Sequence, residues 1–167
     1  MNILLRIARR VVNATFFFKI GLKKGRNVDI RRCVFFDRPE CVVIGDNSLI
    51  NYGCSFHIGW TDNAKILIGN NVQIGMNCVF TCVTHELGSE NQRAGKHVYR
   101  SIIVEDGVWI GASSTILLDV TIAKGCVIAA GSIVTKSTEP NGLYAGVPAK
   151  RIKELSAYIC KLHKIVI

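Results

Sequence analysis

From Val104 to Val134 a branched apolar residue recurs at every sixth position, as Val104, Ile110, Ile116, Ile122, Ile128 and Val134. A helix repeats its apolar face every three or four residues and an ordinary strand every two, so neither template accounts for this period. Two positions before an anchor stands a small or medium side chain (Val108, Ser114, Val120, Cys126, Ser132), and three after one stands a turn former (Gly107, Ser113, Asp119, Gly125, Gly131). Glycine and aspartate tolerate the positive φ of a tight corner. Each unit of six therefore reads as a short strand plus a corner that cannot bury its apolar residue alone. Stacked units can, and three units to a turn close a parallel β-helix, an all-β solenoid of hexapeptide repeats.

The same phase runs upstream through Ile44, Ile50 and Phe56, with Asn47, Gly53 and Gly59 at the corners, and through Ile68, Ile74 and Phe80, with Asn71 and Asn77. Between these two sets WTDNAK forms a small outward loop. From Arg26 to Val43 the signal is degraded, although Ile30 and Phe36 keep the spacing and Asn27 and Asp37 supply turn chemistry. This predicts an imperfect first coil, as terminal repeats tend to be. After Phe80 the stretch TCVTHELGSENQRAGKHVYRS is too polar for rungs, so residues 84–101 are expected as an extended loop leaving the solenoid.

The solenoid domain is thus placed at 26–139. Residues 1–24, MNILLRIARRVVNATFFFKIGLKK, read as a basic amphipathic helix ending near Gly21, with Leu4, Ile7, Val11 and Val12 on one side. Such a helix packs on the solenoid or a neighbouring subunit, or makes a peripheral contact with a membrane surface. Residues 140–167 form an exit segment broken by Pro140 and Pro148, then a C-terminal helix in which Ile152, Leu155, Ile159, Leu162 and Val166 recur at three or four.

At 167 residues and 49% hydrophobic content the chain suits one domain with a continuous core. The formal charge of +9 suits a polyanionic ligand, an anionic glycan or a membrane surface. No nucleic-acid partner is expected, because no helix-turn-helix, RNP-like or zinc-finger pattern occurs and aromatic residues are not interleaved with basic ones. Seven cysteines occur without a CxxC pair, and Cys54, Cys78 and Cys126 fall on the small inward position. They read as core residues in a reducing cytoplasm rather than as a disulfide framework. Arg6, Arg9, Arg10 and Lys19 interrupt the N-terminal apolar stretch, so the expectation is a cytoplasmic protein, soluble or peripheral at the inner membrane surface.

VWIGASS, AAGSIVTKS, a TH dipeptide opening a loop, and AGVPAKRIKEL stand in an order and spacing that resemble the hexapeptide-repeat acyltransferases, the group holding galactoside, maltose and serine acetyltransferases and many glycan O-acetyltransferases. The resemblance covers residues 26 to 155. It implies a left-handed β-helix, a homotrimer with active sites between neighbouring coils, and acetyl-CoA as cosubstrate with no metal required. It also implies that His85 is the general base toward an acceptor hydroxyl, a role that imidazole suits because it titrates near neutrality. Either Glu86 or a backbone carbonyl would orient it. By the same resemblance Asn51 contacts the acceptor, and Trp109, Gly111, Ala112, Ala130, Thr135, Lys136, Lys150 and Lys153 line the coenzyme A arm and its phosphates; the loop around Arg93 is expected to help hold the acceptor. An amide near Ala112 is a candidate oxyanion donor.

Other readings stay open. Cys82, three residues before His85, raises an acyl-enzyme, whereas the family resemblance argues for direct transfer in a ternary complex. His57, His85 and His97 raise a zinc enzyme of the carbonic anhydrase type on the same scaffold, although their spacing does not match that pattern. A non-catalytic scaffold is the third class. The reading that unites most residues is an O-acetyltransferase acting on a saccharide hydroxyl, with an amino-sugar N-acetyltransferase as runner-up and a serine or xenobiotic acceptor less favoured.

Overall fold

The computed structural model describes residues 21–155, and there each six-residue unit becomes a two- or three-residue strand followed by a corner. The first coil holds β1 (Lys23–Lys24), β2 (Asp29–Ile30) and β3 (Phe35–Phe36); the second holds β4 (Val42–Ile44), β5 (Leu49–Ile50) and β6 (Ser55–His57). The third holds β7 (Ile66–Ile68), β8 (Gln73–Ile74) and β9 (Val79–Thr81). A hairpin of β10 (Val83–Leu87) and β11 (Ala94–Tyr99) then leaves the stack. The fourth coil holds β12 (Ile102–Val104), β13 (Trp109–Ile110) and β14 (Thr115–Ile116), and the fifth holds β15 (Thr121–Ile122), β16 (Val127–Ile128) and β17 (Ile133–Val134). The exit segment adds β18 (Gly142–Ala145) and β19 (Lys150–Glu154).

Equivalent strands stack in parallel into three faces. Face 1 is β1-β4-β7-β12-β15, face 3 is β3-β6-β9-β14-β17, and face 2 runs from β2 through β5, β8, β13 and β16 to β18 and β19. This arrangement fits the expected left-handed β-helix. Register places anchor on anchor: Ile44, Ile68, Val104 and Ile122 on face 1, and Ile50, Ile74, Ile110 and Ile128 on face 2. On face 3 Phe36, Phe56 and Phe80 stack with ring centroids 4.7 Å apart, followed by Ile116 and Val134. All of these are buried, so the apolar period is the core.

The corners explain the rest of the repeat. Asn27, Cys33, Asn47, Asn71, Asn77, Ser113 and Asp119 have φ between 55° and 63°, and Gly53, Gly59, Gly107, Gly125 and Gly131 are also left-handed. Each lies three residues after the last residue of a strand or its anchor. The small inward residues are hydrogen-bond donors to the carbonyls of the next coil: Ser48 Oγ to Gly69 O at 3.0 Å, Cys54 Sγ to Gly75 O at 3.1 Å, Cys78 Sγ to Gly111 O at 3.2 Å and Cys126 Sγ to Glu139 O at 3.0 Å. A hydroxyl or thiol there satisfies carbonyls that would otherwise be orphaned inside the prism.

Tight stacking also explains Gly111. A Cβ there would lie 2.5 Å from the Ala130 nitrogen of the coil above, whereas one at Gly107 would meet nothing within 4 Å. Gly111→Ala is therefore expected to cost about 2–3 kcal/mol, and Gly107→Ala only about 1 kcal/mol for its positive φ. Paired thermal melts check this; equal shifts would contradict it.

Several sequence expectations need correction. The helix expected over 1–24 does not include Leu22 to Lys24, since Lys23–Lys24 pairs in parallel with Val43–Ile44 and Leu22 packs on the core; residues 1–20 lie outside the described residues. The turn chemistry expected of Asn27 and Asp37 takes two forms: Asn27 adopts the left-handed corner, whereas Asp37 acts through its side chain. Its carboxylate accepts the N–H groups of Ile58 and Gly59, and Cys33 takes the corner conformation. The expected loop 84–101 contains an antiparallel hairpin, whose exposed alternating residues carry no apolar signal. Ile152 is not the expected first residue of a helix but lies on β19, which pairs antiparallel with β18 and leaves it exposed. Residues 156–167 lie outside the described residues.

The exit segment forms an irregular sixth layer. Thr138 N–H bonds to Thr121 O above face 1, β18 lies on β16 of face 2, and Ala149 N–H bonds to Ile133 O above face 3.

Candidate active site

Two excursions leave the prism at the edge where face 3 passes to face 1: the loop between β6 and β7, and above it the β10–β11 hairpin. His85 sits on β10 directly across from His97 on β11. Its Nδ1 lies 2.9 Å from the carbonyl oxygen of Gly95. A carbonyl can only accept, so Nδ1 donates in this contact, and in the neutral ring Nε2 is then the acceptor nitrogen. The orienting group is therefore a backbone carbonyl and not Glu86. Gly95 allows this approach, since a Cβ there would lie 2.8 Å from Glu86 O.

Rings continue from His85 along the hairpin. The His85 and His97 centroids are 4.4 Å apart, and His97 stacks on Tyr99 at 5.8 Å. Neither His97 nor Tyr99 nor Gly95 stood out in the sequence as a neighbour of His85; only the antiparallel register brings them beside it. Arg93 lies at the turn of the hairpin, where its Nη1 reaches Gly88 O at 3.4 Å and its own carbonyl accepts Gly88 N–H. It closes the turn.

Asn51 follows β5, at the edge between faces 2 and 3, where its Oδ1 accepts the Tyr52 N–H at 2.9 Å. Gly111, Ala112 and Ala130 stack along this same edge, with Ala112 O accepting Gly131 N–H. Among the described residues the N–H groups of Ala112 and Ala130 make no hydrogen bond. Trp109 is exposed on the outer row of face 2, in register with Gln73 and Val127. Lys150 and Lys153 are exposed on β19, the last strand of that face, while Arg151 is engaged by Glu139 at 3.2 Å. Thr135 and Lys136 follow β17 onto the histidine's edge. Within one chain the candidates therefore divide between two edges on either side of face 3.

Cys82 is fully buried, its Sγ 3.8 Å from Lys65 O, and burial pushes its thiol up to about 12. It lines the coil and offers no thiolate nucleophile. Cys82→Ala is accordingly expected to keep kcat within about threefold, and loss of turnover with acetyl trapped on the wild-type thiol would argue the opposite. His57 packs against Phe35 at 5.6 Å, apart from the hairpin histidines' ring contacts. Among the described residues no group of three or more His, Cys, Asp or Glu side chains is placed to hold a metal ion.

The model for bacterial transferase hexapeptide, six repeats, matches residues 101–136. A galactoside acetyltransferase solved in complex with coenzyme A is 30% identical and superposes with a TM-score of 0.73, over 87% of this chain and 72% of that one. The chain belongs to the hexapeptide-repeat acyltransferase family. Within that family a hexapeptide-repeat acetyltransferase from Vibrio cholerae, solved with acetyl coenzyme A, gives a TM-score of 0.75 at 28% identity over 90% of this chain and 78% of its own. The galactoside O-acetyltransferase of Escherichia coli K12 is 34% identical over 132 residues, 79% of this chain and 63% of that enzyme. The chain spans between 45% and 63% of the length of the first four curated relatives it matches.

Proposed function

We propose that this family member is an acetyl-CoA-dependent O-acetyltransferase that acetylates a saccharide hydroxyl, with His85 as general base. The observation that carries the reading is the Nδ1 contact to Gly95 O, which leaves Nε2 available on an exposed hairpin. The acceptor O–H gives its proton to Nε2 as its oxygen attacks the thioester carbonyl. The resulting tetrahedral oxyanion is answered by a backbone amide, for which the unbonded Ala112 N–H is the candidate. Collapse breaks the carbon–sulfur bond, and the imidazolium returns the proton to the departing thiolate. The names of the neighbours support this assignment, since they include coenzyme A complexes and a maltose O-acetyltransferase.

The two-edge distribution supports a homotrimer. His85, Thr135 and Lys136 lie at one edge of the prism and Asn51, Ala112 and Ala130 at the other, so a single chain separates base from acceptor and thioester contacts. Association of identical chains about a symmetry axis can bring one edge against the other edge of a neighbour. Lys150 and Lys153 would then meet the cofactor phosphates as point charges. Among the described residues no helix is long and apolar enough to cross a membrane.

An acceptor screen tests the reading: free thiol released from acetyl-CoA is followed with sugars, amino sugars, nucleotide sugars and serine. Preference for a saccharide hydroxyl is the expected outcome, and preference for serine or for an amine would sink it.

A further inference from the structure

Trp60 is 92% exposed, a costly display for the largest apolar side chain. Its loop is nevertheless held from both sides. Before it, the N–H groups of Ile58 and Gly59 bond to the Asp37 carboxylate at 2.9 Å. After it, Arg38 Nη1 donates to Thr61 O at 2.9 Å, Arg38 Nη2 pairs with Asp62, and Thr61 Oγ1 accepts the Asn63 N–H. Ala64 then returns to the core, fully buried. An aromatic ring held out by an ordered loop loses little freedom when a ligand covers it.

The position of this loop points to the ligand. Gly59 abuts the Tyr99 ring so closely that an added Cβ would lie 2.7 Å from its Cε1. Tyr99 stacks on His97, and His97 lies against His85. A continuous line of contacts thus runs from the proposed base to the residue next to Trp60. Resting on the saccharide reading above, we infer that Trp60 is a remote acceptor subsite, stacking on a sugar ring beyond the one presented to His85, and that the acceptor is an oligosaccharide. The C–H face of a pyranose matches an uncharged aromatic face, and indole offers the widest. A ligand reaching both ends must pass the His97 and Tyr99 rings, more than one pyranose covers.

The test compares kcat/KM for monosaccharides and trisaccharides (glucose against maltotriose, galactose against a galactosyl trisaccharide) in wild type, Trp60→Ala and Trp60→Tyr. Wild type should favour the trisaccharide. Trp60→Ala should lower the trisaccharide-to-monosaccharide ratio roughly tenfold through the trisaccharide KM, with KM for acetyl-CoA unmoved, and Trp60→Tyr should restore most of it. The unmodified protein contains two tryptophans, and a trisaccharide-induced emission shift should vanish in Trp60→Tyr. An unchanged ratio in Trp60→Ala overturns the subsite alone, as does a change of oligomeric mass on size exclusion, which would make Trp60 an interface residue. A wild type that acetylates no saccharide overturns the functional reading and the subsite together.

Discussion

His85→Ala is expected to lower kcat by ~10²–10⁴ while leaving acetyl-CoA affinity and the melting curve nearly unchanged. The hairpin is exposed and its strands pair through backbone, so removing one imidazole costs the fold little. What disappears is the Nε2 acceptor, and a neutral hydroxyl then meets the thioester without a base. His85→Asn sharpens the result, because its amide can still donate toward Gly95 O but offers no basic nitrogen. Both variants should fail alike in single-turnover assays of acetyl transfer. If either kept the wild-type rate, His85 would be a structural histidine and the base would have to be sought elsewhere.

Phe56→Ala carries the largest expected effect on stability, about 3–5 kcal/mol. Phe56 is fully buried between Phe36 and Phe80, with both centroid distances at 4.7 Å, so its loss opens a void bounded by rings above and below. For a chain of this size that corresponds to a drop of roughly 10 °C in Tm. Each coil of a solenoid is supported only by its neighbours, so the damage should centre on the second and third coils. Hydrogen exchange should show early opening in β6 and β9, and uniform loss of protection would contradict the stacked-layer description. A loss below about 1 kcal/mol in denaturant melts would mean the coils close over the gap.

The solenoid was legible because its determinants are local and periodic: no single anchor has to be read alone when Val104, Ile110, Ile116, Ile122 and Ile128 repeat the same instruction. Corner chemistry was equally readable, down to the left-handed Ser113 and Asp119. The hairpin was not. Thr84, His85 and Glu86 face solvent, so no burial pattern marks the strand, and the pairing of His85 with His97 is a long-range register that local propensity does not encode. Ile152 misled for a related reason. Its three-and-four spacing with Leu155 describes a helix, but the open edge of β18 offered its backbone a partner. For the site, motif resemblance selected His85 and Asn51, yet it could not reveal that one chain holds them at separate edges.

The exit segment has a consequence for assembly. Five coils of identical period would end in a bare stack of strand edges, on which another copy could continue the ladder and extend the prism into a fibre. Thr138, β18 and Ala149 cover the three faces in turn, and β19 places Lys150, Arg151 and Lys153 along the last edge of face 2. With Arg151 engaged by Glu139, the exposed ammonium groups of Lys150 and Lys153 make that edge a poor template for a further strand. The lysines proposed to receive phosphates therefore also terminate the solenoid, and neutralising them would trade solubility for end-to-end growth.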